Sequence, residues 1–330
     1  MFGWNDLKER IALTDATVEC PVRDCDTIVE RQRRTFRREA KFGCPAHAIC
    51  ISPSTFEYEE PLANMLWTEP EDLDLWRRIT QPGIKRESRI AFDNSEDAVT
   101  WNVFRHLARR DLLGHFITAA SGRKSTGTPR LVYWSWCQQA NGVWQPLVKT
   151  AVEFGETQER RSEPDLVIED DVTLLFVEAK LTSGNRTRPS NPANEKKYET
   201  AFDRWFSVVF QPSTTFVSVA VKGRLYELMR LWLIGTLIAA EARKQFVLVN
   251  VVRDGTEADI TARCERHARF DNSRQFVRLT WEQIRDLVVL SGPPDADMER
   301  LLVYFRTKTL GYTRRGRLRR AFAQAVSENK

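Results

Sequence analysis

The apolar positions of this chain change period several times, and each change marks an element. At Asn94-Ser95-Glu96-Asp97 a capping residue is followed by acids that complement a helix dipole, which signals a helix start. Val99, Val103 and Leu107, with Phe104 and Ala108 beside them, then recur at the spacing of one helical face. Glu96 lies on that same stripe, so the pattern predicts a carboxylate turned toward whatever the stripe packs on.

Beyond this helix the period shortens to that of strands. Residues 131–137 and 143–148 flank Asn141-Gly142, a dipeptide suited to a type I′ turn, and predict a hairpin. Residues 165–168 and 172–181 form a second pair, parted by Glu169-Asp170-Asp171. The stretch 172–177 is apolar on both faces, as a central strand covered on both sides should be. After a polar loop over 182–192, helical patterns run through 195–210 and 224–243, residues 246–252 read as a β-branched strand, and 280–290 as another helix. The fold class expected is α/β, a mixed central sheet flanked by helices.

The ends of the chain follow other rules. Residues 1–60 are charged and cysteine-rich, with no long amphipathic period, and predict a small metal-stapled module. Residues 61–89, with Trp67, Leu73, Leu75 and Trp76 among charges, predict one connecting helix. The division expected is therefore a module over 1–60 and a main domain over 61–330, the latter closing on a basic helical extension. No internal repeat or low-complexity tract interrupts this plan.

Composition narrows the class. Charged residues make up 29% of the chain, ordinary for a folded globule. The longest apolar run, 231–240, is too short to span a bilayer, and residues 1–10 lack the apolar core of a signal peptide. A cytoplasmic protein with no membrane partner is expected. The net charge of +5 is mild, but it is clumped. Arg31, Arg33, Arg34, Arg37, Arg38 and Lys41 form one cluster, and Arg306, Lys308, Arg314, Arg315, Arg317, Arg319 and Arg320 another. Either is a solvated face or a seat for a polyanion, because neutralising phosphates releases condensed counterions.

The densest chemistry lies in the second hairpin. If the chain reverses at 169–171, antiparallel pairing sets Asp165 opposite or nearly opposite Glu178. Alternation then puts Glu178 and Lys180 on one face while Ala179 points away. Adjacent carboxylates repel unless a cation joins them, and a hard, oxygen-seeking ion such as Mg²⁺ or Mn²⁺ is the natural guest. Such an ion can stabilise charge on a phosphate under attack, with Lys180 beside the attacking water or the phosphate. Phosphodiester hydrolysis is the matching reaction. Glu153, assigned to the end of an earlier strand, is a weaker candidate ligand.

These residues resemble the PD-(D/E)XK, restriction-endonuclease-like nuclease superfamily. Its motif is a Pro-Asp followed, on the next strand of a central hairpin, by Glu-x-Lys, and Pro164-Asp165 and Glu178-Ala179-Lys180 match it. The resemblance implies a restriction-endonuclease-like fold over about residues 93–290. It implies metal ligation by Asp165, Glu178 and the Ala179 carbonyl, and a ligating or water-mediated role for Glu96 on the preceding helix. It also implies a polar residue on the helix after the lysine strand, for which Arg224, Tyr226 and Arg230 are candidates.

A second constellation is built of thiols. Cys20 and Cys25, then Cys44, His47 and Cys50, place two ligand-bearing turns around one tetrahedral ion, and structural Zn²⁺ suits these donors. Cys20, Cys25, Cys44 and His47 are the favoured set, with Cys50 as substitute for His47, and the module looks like a zinc ribbon. Cys137, Cys264, His106, His115 and His267 have no such spacing. Set beside the arginines at 31–38, the module suggests engagement of DNA, double-stranded rather than single-stranded, or equally the docking of another protein. The expected activity is a Mg²⁺-dependent endodeoxyribonuclease; the alternative is a nuclease fold that binds DNA without cutting it. Cutting both strands calls for two sites, which a homodimer would supply.

Overall fold

The protein is represented by a computed structural model that describes residues 2–81, 89–157, 162–191, 194–201 and 205–322. Parts of the expected connecting segment at 61–89, of the loop at 182–192 and of the helix at 195–210 lie outside the described residues.

Short pairs of strands come first: β1 (Thr17–Glu19) with β2 (Ile28–Glu30), and β3 (Cys50–Ile51) with β4 (Phe56–Glu57), both antiparallel. Helix α1 (Pro70–Ile79) opens on a proline, whose missing N–H costs nothing in a first turn, followed by Glu71 and Asp72. Helix α2 (Glu96–Arg109) starts where the sequence predicts, with the Ala98 amide donating to Ser95 Oγ at 3.1 Å. Helix α3 (Leu113–Ser121) ends on Gly122 in the left-handed conformation.

The next strands are β5 (Arg130–Tyr133), β6 (Trp136–Cys137) and β7 (Gly142–Val143), followed by α4 (Gln145–Glu153). Then come β8 (Leu166–Glu169), β9 (Thr173–Ala179), α5 (Asn194–Ala201), α6 (Ser207–Val209) and α7 (Tyr226–Ala242). β10 (Gln245–Val252), α8 (Ile260–Glu265), β11 (Arg274–Thr280) and α9 (Trp281–Leu290) follow. The described chain closes with α10 (Ala296–Thr307) and the strands β12 (Thr309–Tyr312) and β13 (Leu318–Arg320).

The sheet is mixed and seven-stranded, in the order β11-β10-β9-β8-β5-β6-β7. β8 runs antiparallel to both β5 and β9, whereas β10 is parallel to both β9 and β11. Helices between β9 and β10 and between β10 and β11 make these parallel pairings possible. An α/β protein with a mixed central sheet flanked by helices is therefore what the chain forms.

Four local expectations are corrected. Residues 131–137 are two strands, because Trp134 and Ser135 both take positive φ and fold β6 back on β5. Residues 143–148 are mostly helix, since Pro146 suits the first turn of α4 better than a paired strand. Glu153 accordingly ends a helix and is exposed to solvent. The basic C-terminal segment is a strand pair beyond α10 instead of a helical extension, and Gly311 and Gly316 at positive φ break the helical path.

The chain forms two compact units. One comprises Met1–Asp74, Glu87–Leu107 and Val288–Lys330; the other comprises Leu75–Arg86 and Ala108–Leu287 and holds the seven-stranded sheet. The N-terminal 60 residues thus share a unit with α10 and the C-terminal strands, while the expected division placed those in the main domain. Packing explains the grouping: Tyr312 and Leu318 lie in one apolar core with Ile11, Val18, Ile51 and Phe56. Asp93 accepts hydrogen bonds there from Tyr58 Oη (3.2 Å), Thr309 Oγ1 (2.7 Å) and the Gly311 amide (2.8 Å). In the other unit, α7 is buried on almost every side and packs with Leu174 and Phe176 of β9 and with Phe246 and Leu248 of β10.

Candidate active site and metal centre

The β8–β9 hairpin brings the motif together. Leu166 pairs with Val177, so Asp165, one residue earlier, stands opposite Glu178. Side chains alternate along β9, so Glu178 and Lys180 continue the face that Leu174 and Phe176 present to α7. Asp165 is half-buried, and its Oδ2 accepts the Ala179 amide at 2.8 Å, which ties the two strand ends together. The Lys180 amide donates to Val251 O at 2.8 Å, and Trp281 Nε1 donates to Lys180 O at 3.1 Å, fixing the backbone from which the lysine rises.

Lys180 Nζ donates to Glu178 Oε1 and lies 3.6 Å from Glu227 Oε2 in the first turn of α7. The ammonium sits among negative charges where a cation is wanted. Burial drives the Glu178 carboxyl well above its ordinary range, and the Glu227 and Asp165 charges add to that, against the opposing pull of Lys180. Burial alone would lower Lys180, but Glu178, Asp165 and Glu227 together raise it, so the side chain is held as a cation.

Two residues of this site lie outside the Pro-Asp and Glu-x-Lys motif. Glu227 on α7 is one, while Arg224, just before that helix, and Tyr226 and Arg230, on it, take other positions. Arg230 Nε donates to the buried Glu156 at 3.0 Å, its guanidinium lies over the Tyr226 ring, and Arg224 is exposed at positive φ. Asn250 is another: it pairs in register with Glu178 on the adjacent parallel strand and is fully buried. Its Oδ1 accepts from Asn185 Nδ2 at 2.7 Å, and its Nδ2 donates to Glu257 at 3.1 Å. Asn250 is the sole polar residue within the run Phe246 to Val252, and that interruption was the available clue. Glu96 opens α2, half-buried, in the unit that does not contain the hairpin.

The thiol cluster lies in the other unit. Cys20 and Cys25 flank the turn between β1 and β2, and Cys44 and His47 form a tight knuckle in which Cys44 O accepts the amides of His47 and Ala48. The donor atoms of Cys20, Cys25, Cys44 and His47 all lie within 4.8 Å of one another, so the group could hold a metal ion such as zinc. Cys25 Sγ is 3.8 Å from Cys44 Sγ, and His47 Nδ1 is 3.6 Å from Cys44 Sγ and 3.7 Å from Cys20 Sγ. A regular tetrahedron with zinc–sulfur bonds of about 2.3 Å has edges of about 3.8 Å, and the shorter zinc–nitrogen bond contracts them slightly.

Burial pushes the Cys20 thiol up, and neighbouring Cys44 adds to it. Burial also acts upward on Cys25, but hydrogen bonding with Thr27 and the adjoining thiols holds it down, at about 6. Cys50 is outside the group, facing Arg37 O at 3.6 Å, so His47 and not Cys50 completes the set. Cys137, Cys264, His106, His115 and His267 lie outside it too. Among the described residues no helix is long and apolar enough to cross a membrane.

No protein-family model matches the chain, and comparison with curated proteins and with solved structures finds no match.

Proposed function

We propose that this protein is a metal-dependent nuclease of the PD-(D/E)XK kind that hydrolyses phosphodiester bonds in DNA. The observation that carries the reading is the hairpin register that sets Asp165 opposite Glu178 with Lys180 two residues on. The order of elements supports it, with an antiparallel hairpin bearing the acids and the lysine, then a helix that delivers a further polar side chain, Glu227.

Asp165, Glu178 and, by the resemblance, the Ala179 carbonyl would hold Mg²⁺ or Mn²⁺. The donors fit: all are hard oxygens, and the buried Glu178 carboxyl is unfavourable as an anion without a cation beside it. A divalent ion there would supply positive charge against the charge that builds on the phosphate during in-line attack. Lys180 acts as a hydrogen-bond donor that orients the attacking water and faces the developing negative charge. The four-residue thiol and imidazole group is assigned to structural Zn²⁺, since it offers four thiol and imidazole donors, the set that would hold such an ion.

The test is nicking of supercoiled plasmid with no added divalent ion, with Mg²⁺ or with Mn²⁺, the zinc content of each preparation being measured in parallel. Cleavage is expected only with the added ion, and Asp165→Ala, Glu178→Ala and Lys180→Ala are each expected to lower it by at least ~10²-fold while keeping zinc. A wild-type protein that binds DNA and cuts under neither ion would replace this reading with a DNA-binding scaffold.

A further inference from the structure

We propose that the unit holding the thiol cluster carries a composite arginine surface that grips the phosphate backbone of duplex DNA. It is assembled from opposite ends of the chain, and the identity of the polyanion as DNA rests on the nuclease reading. The N-terminal segment is the seam. On one side the Ile11 amide donates to Gly316 O and the Leu318 amide to Glu9 O, each at 2.9 Å, and Arg10 bridges antiparallel to Arg317. This lays the turn between β12 and β13, with Arg314, Arg315 and Arg317, along the segment. On the other side Arg31 Nη1 donates to Thr14 O at 2.9 Å, and Arg33 donates to Asp15 O at 3.2 and 3.0 Å. Arg34 follows directly in sequence.

Charge balance separates this surface from an ordinary solvated face. Arg37, Arg38 and Lys41 of the same sequence cluster are each matched by an acid, Glu39, Glu57 and Glu30 respectively. Among the described residues Arg31, Arg33, Arg34, Arg314, Arg315 and Arg317 form no ion pair, and all but the half-buried Arg31 are exposed. Arg31 and Arg33 are anchored by carbonyls, which neutralise no charge. A planar guanidinium donates two parallel hydrogen bonds to a phosphate, which makes arginine the better choice than lysine for this contact.

The experiment measures binding of a duplex oligonucleotide by the full-length chain across a range of salt concentrations. All proteins carry Glu178→Ala, so that cleavage cannot intervene. Each phosphate contact contributes about 0.9 to the slope of log affinity against log salt. The combined change Arg314→Ala, Arg315→Ala, Arg317→Ala is expected to flatten that slope by about 2 to 3, and Arg33→Ala with Arg34→Ala by about 2. Affinity should fall at least tenfold in each, and the charge-matched Arg37→Ala should leave the slope where it was. Retained zinc shows that a variant is folded, and if the triple variant loses zinc the Arg33/Arg34 pair decides. Zinc-retaining variants with an unchanged slope overturn the proposal. A flattened slope in a protein whose wild type never cuts would uphold this surface and reject the nuclease reading instead.

Discussion

Lys308 shows at a single residue what burial does to a charge. It is fully buried, its Nζ donates to Asn64 Oδ1 at 2.7 Å, and Asp93 is 3.8 Å away. Burial lowers its pKa from 10.5 to about 8, with Asp93 opposing. The folded protein therefore gives up this proton at lower pH than the unfolded chain does. Between about 8 and 10.5 the unfolded state binds more protons, so this lysine makes stability rise with pH, by at most ~1.4 kcal/mol per unit. Below that window both states are protonated and the full penalty of burying the ammonium stands. In urea unfolding of wild type and Lys308→Met, the stability difference between the two should change across that window; a difference independent of pH would show that the lysine stays charged. In sequence Lys308 read as one more member of a basic cluster, because its burial depends on residues far away along the chain.

At the level of elements, α7 against β10 is the contact on which the sheet's α7-covered face depends. A methyl placed on Gly235 would fall 2.1 Å from the Phe246 ring, whose residue is 1% exposed. Alanine normally gains about 1 kcal/mol over glycine in a helix interior. Overpacking costs typically 1–3 kcal/mol, so Gly235→Ala is expected to destabilise by up to about 2 kcal/mol in chemical denaturation. A stabilised variant would mean that the ring can move aside. Which stretches form elements was largely legible: α2 and its Ser95 cap, the β8–β9 hairpin, β10 and α9 follow periodicity and capping. The tight turn at Trp134-Ser135 was hidden, because neither residue type favours positive φ. Helix α4 was hidden because its apolar residues also fit a strand.

For the whole molecule, the C-terminal strands are integral to the unit that holds the thiol cluster. Tyr312 and Leu318 lie in its core, Gly316 pairs with Ile11, and Gly311 approaches Ser54 so closely that a Cβ would meet Ser54 O at 2.0 Å. On the proposed assignment of zinc to the thiol cluster, a chain ending at residue 307 is therefore expected to lose that metal, measured by metal analysis against the full chain. Retention of one equivalent would show that the module folds without those strands. Sequence alone picked out Asp165, Glu178 and Lys180 and the cysteine and histidine turns, since Pro-Asp with Glu-x-Lys and paired Cys and His turns are short-range patterns whose spacing along the chain is enough to recognise them. It determined the α/β class for the same reason. Only the tertiary structure decided that His47 rather than Cys50 joins the thiols, that Glu227 and Asn250 stand beside Glu178, and that the two ends of the chain share one unit. Each of these is a contact between distant segments, made by burying apolar surface and pairing backbone groups, and no local pattern along the chain encodes which distant segment will be the partner.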